Sequence, residues 1–161
     1  MSTTKFSYVI RKGQERDCSD AVRLATKLGE TVANASLVTN SEEELREDGF
    51  GATPLFRFYV AEYFPSDHSK SKGEIVGIAS FNDTIYSLFG GRKAYLHALV
   101  VDEEHRGRGL GTALLKAVVN DCLSLGCKEV IWMMNGNDHR LKKFYKSIES
   151  ENMTESFRFE S

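Results

Sequence analysis

An α/β domain with a mixed sheet flanked by helices is the fold class this sequence predicts, on three observations. Apolar, β-branched stretches and helical spacing alternate in the order β-α-α-β-β-β-α-β-α-β. A glycine-rich turn, His105-Arg106-Gly107-Arg108-Gly109-Leu110-Gly111-Thr112, joins an apolar strand to an amphipathic helix. The 161 residues are 41% hydrophobic and 27% charged, an ordinary balance for one soluble globular domain spanning residues 1–161.

Phe6–Arg11 forms the first strand in this reading. Asp17 or Ser19 caps a helix whose Ala21, Val22, Leu24, Ala25 and Leu28 share one face. Ser41-Glu42-Glu43-Glu44 has the form of a capping box, and the short helix it opens should stop at Gly49. Phe56–Phe64 and Ile75–Phe81 are rich in aromatic and β-branched residues and read as consecutive strands, joined by the polar loop Pro65–Gly73. A second loop, Ser87–Lys93, precedes a strand ending at Val101. A helix runs from about Gly109 to near Gly126. Glu129–Met134 is a strand with Trp132 as a core residue, Asp138–Ser147 a short helix, and Phe157–Phe159 a last strand.

The glycine-rich turn carries the strongest chemical signal. A chain without Cβ atoms lets a ligand approach the backbone. The unpaired N–H groups of the first helical turn then face that ligand, and the helix dipole favours negative charge there. Arg106 and Arg108 add cationic donors, so the turn reads as a pyrophosphate cradle. A dinucleotide fingerprint needs G-x-G-x-x-G after an early strand; here G-x-G-x-G lies two-thirds along the chain. The Gly-Lys-Ser/Thr of a P-loop is absent, and a basic loop with no ligand is the plain alternative.

Net charge is −2, which argues against nucleic acid or a membrane surface as partner. Cys18, Cys122 and Cys127 are an odd number without metal-ligand spacing, consistent with reduced thiols in a cytoplasmic protein and with no metal site. Residues 1–6 show no secretory signal or acylation start, and no apolar run approaches eighteen residues.

The pattern Arg/Gln-x-x-Gly-x-Gly/Ala after a strand ending in Val-x-Asp/Glu resembles the acetyl-CoA signature of the GNAT N-acetyltransferase superfamily. The element order is similar too. Tyr8-Val9-Ile10-Arg11, Asp17-Cys18-Ser19-Asp20, Glu47-Asp48-Gly49-Phe50-Gly51 with Pro54, and Phe144-Tyr145-Lys146 resemble the diamine (spermidine/spermine) and thialysine acetyltransferase branch. The resemblance implies a mostly antiparallel sheet with splayed central strands. It also implies acetyl-CoA as co-substrate and a homodimer.

By the same resemblance, main-chain groups of Leu99, Val100 and Val101 would bind the pantetheine arm, and Arg106, Gly107, Arg108, Gly109, Leu110, Gly111 and Thr112 the pyrophosphate. Tyr145 would be the general acid that protonates the departing thiolate, also touching the cofactor; its plain alternative is a core aromatic. Asp138 takes the place where the family often has a cofactor-contacting asparagine, and an aspartate accepts hydrogen bonds without donating them. His97 and Ala98 stand where polyamine acetyltransferases carry a glutamate and an aspartate, and Val32 where they carry a second substrate-binding acid. Loss of those acids argues against spermidine and spermine. His97 is then either a general base facing the acceptor or a histidine satisfied by a neighbour. Glu62, Asp83 and Tyr86 line the acceptor side or are ordinary surface groups.

The function these residues imply is acetyl-CoA-dependent acetylation of a primary amine on a small molecule, by direct transfer in a ternary complex. Two alternatives stand beside it: acetylation of a protein or peptide, and a catalytically silent acyl-CoA sensor.

Overall fold

The computed structural model describes residues 6–31, 39–65, 72–133 and 139–149. Five strands lie in sequence order, β1 (Ser7–Lys12), β2 (Arg57–Phe64), β3 (Glu74–Ser87), β4 (Gly91–Val101) and β5 (Glu129–Trp132). The first four pair antiparallel, and β5 joins β4 parallel. That last pairing needs a crossover, which is helix α3 (Leu110–Ser124). Helices α1 (Cys18–Thr31) and α2 (Glu42–Phe50) join β1 to β2, and α4 (His139–Glu149) follows β5. Among the described residues this is the mixed, mostly antiparallel sheet the sequence predicts.

Each face of the sheet buries its own core. Ala21 and Leu24 of α1 pack with Phe58, Val60, Ile78 and Val100 on one face. Leu110, Leu114, Leu115 and Val118 of α3 and Tyr145 and Ile148 of α4 pack with Val76, Ala79, Phe81, Leu96 and Trp132 on the other. The helix faces follow from the apolar spacing, because i, i+3 and i+4 positions lie on one side.

Several boundaries differ from the sequence reading. A 3-10 turn at Glu15–Asp17 precedes α1, and Asp17 is buried there, accepting from the Gln14 N–H (2.8 Å) and from Arg11 Nη1 (2.7 Å). Ser41 and Glu44 do form the reciprocal capping box, but α2 runs on to Phe50 and ends at Gly51. The expected loop at Ser87–Lys93 shrinks to the turn 88–90, because β3 continues past Phe81 through a bulge at Asn82–Ile85. The strand expected at Phe157–Phe159 lies outside the described residues.

A second bulge shapes the site. Ser80 pairs with Ala98 and Phe81 with Leu96, which leaves His97 as the extra residue of β4. One inserted residue reverses the faces of everything beyond it. Ala94 and Leu96 therefore point to the α3 face, as do Leu99 and Val101, while Ala98 and Val100 point to the α1 face.

Candidate active site

Pairing between β4 and β5 stops at Leu96–Trp132, yet β4 continues five residues further, to Val101. Beyond that point no strand among the described residues flanks this edge of β4. The Asp102 N–H donates to the Val76 carbonyl (2.8 Å), so Val100, two residues back, also faces β3. The N–H and C=O groups of Leu99 and Val101 alternate to the open side. Among the described residues nothing pairs with the outward main-chain groups of Leu99, which leaves them available to an extended ligand.

The turn closes the far end of that opening. Gly107 (φ 72°) and Gly109 (φ 78°) adopt the left-handed conformation that disfavours side chains. A Cβ built on either would meet nothing within 4 Å, so both face open space. Gly109 is the N-cap of α3 and offers no side-chain cap, and the first turn of the helix holds no acid. The first helical bond is Ala113 N–H to Gly109 C=O (3.0 Å). Among the described residues nothing accepts from the N–H groups of Leu110, Gly111 and Thr112. Helix α2 makes the contrast, with Ser41 and Glu44 closing its N-terminus. An uncapped, acid-free helix start beside two open glycines suits an anion.

Both arginines of the turn have partners within the protein. Arg106 donates through Nε to the Val101 carbonyl (2.9 Å) and through Nη1 to Glu103 (3.0 Å). Arg108 donates through Nη1 to the Tyr8 hydroxyl (2.9 Å) and through Nη2 to the Glu104 carbonyl (3.2 Å). It also lies over the rings of Phe6 and Tyr8. The Tyr8 hydroxyl stands 3.0 Å from His105 Nδ1, so β1 braces the turn from outside. Both guanidinium groups hold the loop in shape, and this brace of Tyr8 and His105 went unread in the sequence.

Tyr145 and Trp132 stack where the β4–β5 pairing ends, with centroids 4.7 Å apart and planes 23° apart. Tyr145 is 8% exposed, and burial pushes its phenol up to about 12. None of the described residues hydrogen-bonds its hydroxyl. The His97 side chain is exposed, and its ring meets Tyr95 edge-on at 4.8 Å. Partial desolvation lowers its pKa below the ordinary histidine value.

The remaining sequence-predicted residues divide. Glu62 is buried, its carboxylate taken by Arg11 Nε (2.6 Å) and the Gly73 N–H (3.1 Å), so it is not a surface group. Glu62 pairs with Ile75, at the opposite end of β3 from Tyr86, roughly 30–36 Å away along an extended strand. Those two therefore do not line one small-molecule pocket. Asp83 faces Arg57 at 3.6 Å, and Tyr86 is exposed. Asp138 and Val32 lie outside the described residues. Among the described residues there is no group of three or more potential metal ligands, and no helix is long and apolar enough to cross a membrane.

Comparison with known proteins identifies a family and a fold. Residues 36–148 match the model of the Acetyltransferase (GNAT) family. The chain is 35% identical over 156 residues to a thialysine N-epsilon-acetyltransferase of Mus musculus, covering 94% of this chain and 91% of that one. It is 28% identical to a human spermidine/spermine N(1)-acetyltransferase-like protein 1, of which it spans 24%. Among solved structures, an aminoglycoside acetyltransferase from an uncultured soil metagenomic sample superposes with a TM-score of 0.70. That match covers 96% of this chain and 95% of the other at 18% identity, a likeness of fold.

Proposed function

The chain belongs to the acetyltransferase (GNAT) family and is an N-acetyltransferase, and from that premise we propose that it acetylates a primary amine on a small diamine-like or thialysine-like molecule. The family uses acetyl-CoA, which supplies the acetyl group as an activated thioester. The observation that carries the reading is the uncapped, acid-free start of α3 beside two open glycines, one short turn after the edge of β4 that β5 leaves unpaired. In this reading the N–H groups of Leu110, Gly111 and Thr112 receive the pyrophosphate, with Gly107 and Gly109 allowing its approach. Leu99 and Val101 face the pantetheine arm.

His97 accepts the proton that an ammonium substrate must lose before its nitrogen attacks. A pKa below the ordinary histidine value leaves it neutral, and so competent, at pH 7. Tyr145 gives its proton to the departing thiolate. The phenol stays protonated at neutral pH, and the dry surroundings that raise its pKa also disfavour a bare thiolate. Asp83 and Tyr86, on the arm of β3 beyond its bulge, form the outer acceptor side. Much of the rate comes from holding amine and thioester together.

An acceptor carrying several charges fits poorly, because the residue at the bulge is a histidine. The protein acts in the cytoplasm as a homodimer in this reading. The exposed Leu88 and Phe89 at the β3–β4 turn are an apolar surface that such an interface would cover. Acetyl-CoA turnover on a panel of diamines, thialysine, polyamines and lysine peptides, with products identified by mass spectrometry, tests the proposal. Acetylated diamine or thialysine is the expected product. Products on peptides alone would make it a protein acetyltransferase, and binding without any product would make it a sensor.

A further inference from the structure

Gly107 and Gly109 let an anion approach the main chain, but glycine is also the residue that loses most freedom when a turn is ordered. No side chain caps the start of α3, so the order of the turn has another source. Arg106, ahead of both glycines, is tied to Val101 and Glu103 within its own segment. Arg108 is the one residue between the glycines. Among the described residues it hydrogen-bonds the neighbouring Glu104 carbonyl and one distant group, the Tyr8 hydroxyl of β1 (2.9 Å). The same hydroxyl stands 3.0 Å from His105 Nδ1. One phenol of β1 therefore grips the turn on both sides of Gly107.

Proton counting fixes the direction of both bonds. A guanidinium donates and cannot accept, so the phenol oxygen accepts from Arg108. The single phenol proton is then given to His105 Nδ1, and the ring's own hydrogen sits on Nε2. The charge on Arg108 polarises the phenol and strengthens the bond it gives.

We infer that Tyr8 is a positioning residue for the cofactor turn: through Arg108 and His105 its hydroxyl holds Gly107 and Gly109 in the shape that receives the pyrophosphate. The inference rests on the acetyl-CoA reading of the turn and adds to it a residue of β1 that acts through the turn's own side chains. A turn held in its binding shape only part of the time binds more weakly in proportion. Two hydrogen bonds, each worth about a fivefold bias, set the loss at roughly five- to 25-fold.

Tyr8→Phe removes the hydroxyl and keeps the ring against Tyr63 and His105, with centroids 5.2 and 5.8 Å away, and beneath Arg108. The calorimetric Kd for acetyl-CoA, which needs no acceptor, should rise about five- to 25-fold. With thialysine as acceptor the KM for acetyl-CoA should rise in step, while kcat at saturation stays within about twofold. A residue that serves folding alone would lower the urea midpoint and leave acetyl-CoA affinity as it is. Unchanged affinity, whatever the midpoint does, would overturn the inference, as would a kcat that falls while Kd holds. In ¹H–¹⁵N spectra of the unaltered protein, acetyl-CoA should shift the amides of Gly107, Gly109 and Gly111. Silence of those peaks would overturn the cofactor placement and the inference together. Shifted peaks beside an unchanged Kd in Tyr8→Phe would overturn the inference and spare the cofactor site.

Discussion

Helix α3 carries a glycine at each end in the same strained conformation, and this permits a matched test of the anion site. Gly109 (φ 78°) and Gly126 (φ 81°) both face open space, with nothing within 4 Å of an added Cβ. Valine at either position is forced into the left-handed region, at a cost of roughly 1–2 kcal/mol. With no neighbour to strike, the two variants should lose similar stability. In urea that is a midpoint shift of about 0.5–1 M for a domain of this size. The glycines lie beyond the two ends of a helix of 15 residues, so they are separated by about 25 Å. Only Gly109 adjoins the free N–H groups of Leu110, Gly111 and Thr112. A side chain there displaces the pyrophosphate from at least two charge-assisted hydrogen bonds, worth roughly 1.5–3 kcal/mol each. Acetyl-CoA affinity should therefore drop about 10²–10⁴-fold in Gly109→Val and stay near wild type in Gly126→Val. Calorimetric titration beside urea unfolding separates the two effects. Equal affinity in the two folded variants would refute the placement of the anion at this turn.

Tyr145→Phe should lower kcat by about 10²–10⁴-fold under conditions where chemistry limits the rate, with acetyl-CoA affinity nearly intact because the ring still covers Trp132. The phenol is held at about 12, so wild-type enzyme should show no falling limb from this group between pH 6 and about 11. The rate should rise with pH through the His97 pKa, and because partial desolvation lowers that pKa the limb lies below the ordinary histidine value. His97→Ala should remove the limb; comparing two acceptors of different pKa separates it from titration of the amine. Asp17→Ala leaves Arg11 with Glu62 alone and should cost about 3 kcal/mol by urea unfolding. Burial opposes the Asp17 charge, but Arg11 and the Gln14 N–H outweigh it and hold the folded pKa below the unfolded value near 3.8. The stabilisation it gives is thus complete above that unfolded pKa and fades as pH falls through the folded one, and the variant should lack this acid sensitivity.

Local signals in the sequence proved as good as their physics. Ser41 and Glu44 were readable as a cap because both halves of the box lie within one turn. The strand-turn-helix around Gly107 and Gly109 was readable because only a left-handed backbone calls for glycine at both places. Long-range pairings were not readable. Arg106 and Arg108 look like ligand-binding cations in sequence, and their engagement with Val101 and Tyr8 depends on how the turn folds back and where β1 lies. Glu62 resembles a solvent-facing acid on an alternating strand until Arg11 and the Gly73 N–H close over it. The polar stretch Asn82-Asp83-Thr84 concealed the continuation of β3, since a bulge breaks the alternation that marks a strand. The bulge at His97 was hidden for the same reason, and it is what turns Leu99 and Val101 to the α3 face.

The most direct test of the account is the ratio of kcat/KM for thialysine to that for spermine, measured with saturating acetyl-CoA at pH 7.5. A neutral His97 at the β4 bulge, in place of an acid, predicts a ratio well above one, with the product acetylated on a primary amine. A ratio below one, with spermine turned over efficiently, would contradict it.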